Sequence, residues 1–125
     1  MSVALMFRYP GQLVPRLDIP EQLMTRGWLV PVSGEETFIK YWKPVVEQEG
    51  YMWLPLMGLG LDLDTENLPE VLDELRQLQA AFPRYYTPDH EKYEYITSRL
   101  ATLIAELEAV NPDELASGKL ELFLG

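Results

Sequence analysis

MGLGLDLDTENLPEVLDELRQLQAAFP, residues 57–83, decides how the chain is read. Its first seven residues alternate: Met57, Leu59, Leu61 and Leu63 fall on one side, and Gly58, Gly60 and Asp62 on the other, with Asp64 next in line. A period of two predicts a half-buried strand over 57–63. Glycines on a strand face point to something packed close against it, a helix or an aromatic ring. The period then changes. Leu68, Val71, Leu72, Leu75 and Leu78 recur at threes and fours, which predicts a helix over 68–82 with Glu70, Asp73, Glu74 and Gln77 facing outward. Asn67 reads as its N-cap, Glu70 as the partner in a capping box, and Pro83 as its end.

Working toward the C-terminus, Thr87 and Pro88 read as N-cap and first residue of a second helix, about 88–109, with Asp89 and Glu91 in its first turn. Tyr93, Ile96, Leu100, Leu103, Leu107 and Val110 form its stripe. The short link between the two helices makes them an antiparallel hairpin. Asn111, Pro112 and Glu114 begin a short helix that stops at Gly118. Leu120, Leu122 and Leu124 alternate in a last strand over 119–124.

Toward the N-terminus, residues 2–8 predict a strand apolar on both faces, ended by Tyr9, Pro10 and Gly11, and one suited to the middle of the sheet. One or two helical turns are expected at Pro20–Met24, stopped at Gly27, and a strand at Trp28–Val32. Over 35–49 the signals conflict. The spacing of Phe38, Ile39, Tyr41, Trp42, Val45 and Val46 is helical, whereas Pro44 and the propensity of Thr37–Trp42 favour a strand or irregular segment before a helical piece from Pro44. Tyr51–Leu56 reads as extended, with Pro55 set against a fully paired position. The expected fold is thus α+β. A small mixed or antiparallel sheet carries the helical hairpin on one face and the C-terminal strand beside the first, in one domain spanning 1–125.

The 125 residues include no cysteine, so disulfides, thiolate metal sites and cysteine nucleophiles are excluded. No leader with a basic start and a cleavage site is legible, and no apolar run reaches the roughly 20 residues that span a bilayer. A cytoplasmic location is the expectation. Net charge is −10, unevenly spread: residues 1–50 hold six acids and five bases, residues 51–125 fourteen acids and five bases. Such a surface repels nucleic acid and anionic membrane, and it suits a basic protein partner.

No complete catalytic or cofactor motif appears, and neither a cofactor nor a metal is expected. His90, the only histidine, lies in His90-Glu91-Lys92-Tyr93-Glu94, where a zinc peptidase would need a second histidine at Glu94. It reads as a surface residue in the first turn of its helix. A small enzyme using His90 with Glu91 or Glu94 is the rival. Asp62, Asp64 and Glu66 are spaced like the start of a calcium loop, but Asn67 stands where that loop needs glycine and Asp73 where it needs glutamate. A weak cation site at the strand end is one metal alternative, and His90 with Glu94 on one helix face, joined by a third ligand, is another. None of Ser2, Ser33, Ser98 and Ser117 lies in a nucleophile elbow, and Gly58-Leu59-Gly60 is no phosphate loop.

Tyr41–Trp42, Tyr51–Trp53 and Tyr85–Tyr86 are close aromatic pairs, and in strands adjacent residues face opposite ways, so some should be exposed. Exposed aromatics beside carboxylates are interface anchors with a charged surround. The expected site is therefore a partner-binding surface: Asp62, Asp64, Glu66, Glu70, Asp73 and Glu74 as charged determinants, Tyr85 and Tyr86 as anchors. In being short, acidic, cysteine-free and leucine-rich, the chain is similar to many bacterial immunity proteins, which neutralise toxin nucleases by covering basic active sites. That likeness is one of composition and carries over no residue. It implies a non-enzymatic inhibitor of a basic protein. A homo-oligomeric adaptor, in its simplest form a homodimer, is the third reading.

Overall fold

Leucine and valine at alternate positions drive four short strands into one sheet. The computed structural model describes residues 2–8 and 29–125. The turns expected at Pro20–Met24, and the breaks at Tyr9–Gly11 and Gly27, lie outside the described residues. Strands β1 (Val3–Arg8), β2 (Leu29–Ser33), β3 (Leu61–Leu63) and β4 (Glu121–Leu124) pair in the order β2-β1-β4-β3, every pair antiparallel. β1 and β4 are central and neighbours; the apolar character of both faces of β1 suits that place. The register sets Leu5 opposite Leu124 and Val30, and Leu63 opposite Leu122, so one face of the sheet is a leucine–valine layer.

The helical hairpin is formed by α3 (Leu68–Tyr85) and α4 (Tyr93–Glu108). α3 buries Val71, Leu75, Leu78, Ala81 and Phe82; α4 buries Ile96, Leu100, Leu103, Ile104 and Leu107. These stripes join the leucine–valine layer in one core. The fold is α+β with a purely antiparallel sheet. Among the described residues no helix is long and apolar enough to cross a membrane.

Four local expectations change. Residues 35–49 are helical throughout: α1 (Glu35–Thr37), a π-helical segment (Phe38–Trp42) and α2 (Lys43–Glu49). Pro44 has no amide to donate. The helix meets it by widening, with the Lys43 amide reaching back five residues to the Phe38 carbonyl. Phe38, Trp42, Val45 and Val46 are thereby all buried. The Trp42 indole N–H has no hydrogen-bond partner among the described residues. Second, Leu54–Gly58 is a 3-10 helix, so the strand expected over 57–63 is only Leu61–Leu63, and Leu59 is 85% exposed. Pro55 suits the start of that helix.

Third, Pro83 lies inside α3, on its exposed side in the last turn, where only one backbone bond is lost. Buried Phe82 holds the turn in place, and the Tyr86 amide still reaches the Phe82 carbonyl at 2.9 Å. Fourth, α4 starts at Tyr93 rather than Pro88. Local bonds compete with the helix there: the His90 amide donates to the Thr87 carbonyl, and His90 Nδ1 accepts the Lys92 amide. The short helix α5 (Pro112–Ala116) is capped as expected, with the Asn111 side chain accepting from the Asp113 amide.

Gly58 and Gly60 do have aromatic neighbours, although neither lies in a strand: Gly58 ends the 3-10 helix and Gly60 precedes β3. A Cβ on Gly58 would lie 3.0 Å from the Phe38 ring, and one on Gly60 would lie 2.8 Å from Phe123 Cζ.

Candidate functional site

Six acids and no base occur in residues 51–74. The structure divides those acids between two places. Asp62, Asp64 and Glu66 lie where β3 turns into α3, and all three are exposed. Asp64 Oδ1 accepts the Glu66 and Asn67 amides, both at 2.8 Å, while Asn67 Oδ1 accepts the Asp64 amide at 2.8 Å and its Nδ2 donates to the Asp62 carbonyl. This is a capping box set three residues earlier than the sequence suggests, Asp64 with Asn67 instead of Asn67 with Glu70. Asp64 thus has a structural task, and Asp62 and Glu66 project from either side of it.

Glu70, Asp73 and Glu74 lie on the outer side of α3, against the segment that links α2 to the 3-10 helix. Glu74 accepts the Met52 amide at 3.1 Å, the Trp53 amide at 2.9 Å and the Leu54 amide at 3.0 Å. It caps the 3-10 helix from outside, supplying the acceptors that a helix start lacks. Glu70 accepts the Trp53 indole N–H at 2.9 Å. Asp73 accepts from Gln77, one turn along its own helix, at 2.8 Å.

Between these two elements runs an open groove of about 550 Å³, lined by Glu49, Tyr51, Met52, Trp53, Glu70 and Asp73 among others. Met52 is 74% exposed at its edge. At one end Glu49 accepts from the Arg84 guanidinium at 2.7 Å. Tyr51 and Tyr85 lie in the field of Glu49. Burial first, then the Glu49 charge, raises the pKa of both phenols above the ordinary tyrosine value. The groove therefore joins an apolar and aromatic wall to carboxylates that remain accessible.

Of the two expected anchors, Tyr85 is exposed beside Glu49. Tyr86 turns inward: its hydroxyl donates to the Tyr41 carbonyl at 2.8 Å, and its ring packs edge-on to Tyr41. Tyr51, Met52 and Trp53, which the sequence does not single out as a group, line the groove. The Tyr51–Trp53 pair was their signal, but only the Glu74 cap fixes which way that segment faces.

His90 is not the exposed first-turn residue expected. Its ring is half-buried, 5.4 Å from Tyr41 and 5.5 Å from Tyr86, and its Nδ1 is occupied by the Lys92 amide. Glu91 and Glu94 are both exposed. Among the described residues no three His, Asp or Glu side chains stand close enough to hold a metal ion. Compared with protein-family models, with curated proteins and with solved structures, the chain matches none.

Proposed function

We propose that the chain is a non-enzymatic binding domain that recognises a protein partner with a basic patch, as an inhibitor or immunity-type protein of the cytoplasm would. The observation that carries this reading is the groove between α3 and residues 49–53. Exposed Met52 and the Tyr51 and Trp53 rings stand beside Glu70 and Asp73, a pairing of apolar contact area with carboxylates that suits a lysine- or arginine-bearing surface. Asp62 and Glu66 extend the negative field along the same helix start, and no base in 51–74 offsets it. Tyr85 contributes area at the Glu49 end. Glu74 and Asp64 support the surface from beneath, through the backbone bonds they accept.

The test uses the triple variant Asp62→Asn/Glu66→Gln/Asp73→Asn, which leaves the cap residues alone. The partner is captured from extract of the source cell on immobilised wild-type chain, purified, and mixed with both chains in stopped flow at two salt concentrations. The wild type should associate fast and with a steep salt dependence, and the variant more slowly with a flat one. Equal association rates for the two chains would remove this surface as the interface. A wild-type chain that retains no protein would remove the reading itself.

A further inference from the structure

Lys43 and Glu47 stand one turn apart on α2, both exposed, and among the described residues neither has an ion-pair partner. They lie on the rim of a second cavity, of about 390 Å³, which shares no lining residue with the acidic groove. Its floor is apolar: Val3, Phe38, Val46 and Leu54. The volume is well above the roughly 150 Å³ that holds a benzene-sized guest. Beside it projects Leu59, 85% exposed, with Ile39 52% exposed on the same rim. An apolar knob next to an apolar socket is the relief that a two-fold contact needs, because the same patch must be its own complement.

We infer that this face binds a second copy of the chain, each Leu59 entering the partner's socket and each Lys43 facing the partner's Glu47. Charge selects this occupant. The chain carries twenty acids against ten bases, and two copies repel wherever acid meets acid. On this rim Lys43 and Glu47 are of opposite sign and, among the described residues, have no ion-pair partner, so a two-fold places opposite charges together twice. A purely basic partner would gain from Glu35 and Glu47 on this rim but would meet Lys43 unfavourably. A small apolar ligand would fill the socket and leave Leu59 in water, whereas a second copy removes both knobs from solvent.

Sedimentation velocity over a concentration series at physiological salt tests this, with circular dichroism confirming the fold of each variant. The wild type should show a monomer–dimer equilibrium. Leu59→Asp should raise the dimer Kd on the order of 100-fold. Lys43→Glu and Glu47→Lys should each raise it about tenfold, and the double exchange should restore it. Glu47→Lys discriminates best: it lowers the net negative charge, so general repulsion alone would tighten the dimer, and only loss of the specific pair weakens it. A monomer throughout the series would overturn the proposal, as would a Leu59→Asp chain that dimerises like the wild type, or a double exchange as weak as the single variants. So would a monomer that instead takes up a medium-chain fatty acid in the socket.

Discussion

Glu74 lies on what the sequence presents as a solvent face, four residues after Glu70, where like charges at that spacing repel. Its oxygens instead receive three backbone amides of residues 52–54. Charged acceptors of this kind are worth more than neutral ones, and removing one leaves donors to be rehydrated in a half-buried place. Glu74→Ala should lower the unfolding free energy by about 2 kcal/mol, and Glu74→Gln by about 1 kcal/mol. Glu66→Gln, on the open surface, should stay within about 0.5 kcal/mol. Urea unfolding of the three variants measures the contrast. Equal losses for Glu74→Ala and Glu66→Gln would show that the cap contributes nothing. Tyr86 bears on the alkaline side. Burial, then the neighbouring Tyr41 and Tyr85, raises its pKa above the ordinary 10.0, so the folded chain holds the phenol proton more tightly than the unfolded one. The sign follows: this contribution is complete below about pH 10 and is lost as pH rises through the folded value. Tyr86→Phe should lose about 1 kcal/mol at neutral pH with the bond to the Tyr41 carbonyl, and should show a shallower loss of stability above about pH 10. Chemical unfolding at stepped pH checks both.

The entry to β3 turns on Gly60, whose φ of +110° and closeness to Phe123 leave no room for a side chain. Gly60→Ala should cost more than about 2 kcal/mol by adding backbone strain to a clash. Adding Phe123→Leu should relieve the clash alone and recover part of the loss, read by thermal unfolding. The glycines of the alternating run at 57–63 announced a close aromatic approach in the sequence, though the strand itself begins only at Leu61, and apolar periodicity announced the hairpin and the two central strands, β1 and β4. These signals are local, so they survive folding unchanged. What the sequence left illegible depended on partners distant in the chain. The 3-10 helix at Leu54–Gly58 is stabilised by Glu74, some twenty residues away, and no window around Pro55 contains that fact. Pro44 reads as a break because the widening that accommodates it is driven by burial of Phe38 and Trp42 against Phe82 and the core. The candidate surface divides in the same way. Glu70 and Asp73 were legible as exposed acids on a helix face, whereas Tyr51 and Met52 joined them only through the fold, and Tyr86 left the set because a carbonyl of the π-helical segment accepts its hydroxyl.

At the scale of the whole molecule, the −10 charge acts on folding and on recognition with opposite signs, and that opposition can be measured. Compact acidic chains repel themselves, so screening by salt should raise the thermal midpoint. Among the described residues the ion pairs that salt weakens are few: Arg8–Glu121, Lys40–Glu36 and Arg76–Glu108 are exposed and contribute little, and only in Arg84–Glu49 is one partner largely buried. The net effect of added salt on the isolated domain is therefore stabilising. Attraction between the acidic surface and a cationic partner is screened by the same ions, so association should slow as the fold becomes firmer. Asp62→Asn/Glu66→Gln/Asp73→Asn removes three like charges without touching the caps at Asp64 and Glu74. It should match or exceed the wild-type stability at low salt, by up to about 1 kcal/mol, with a midpoint at least as high, and should gain less from added salt. Differential scanning fluorimetry from low to high salt gives this readout without any partner. A variant less stable than the wild type at low salt would mean that these acids are held by attractive contacts. A midpoint that falls with salt in the wild type would mean that ion pairs, rather than self-repulsion, dominate the electrostatics of the fold.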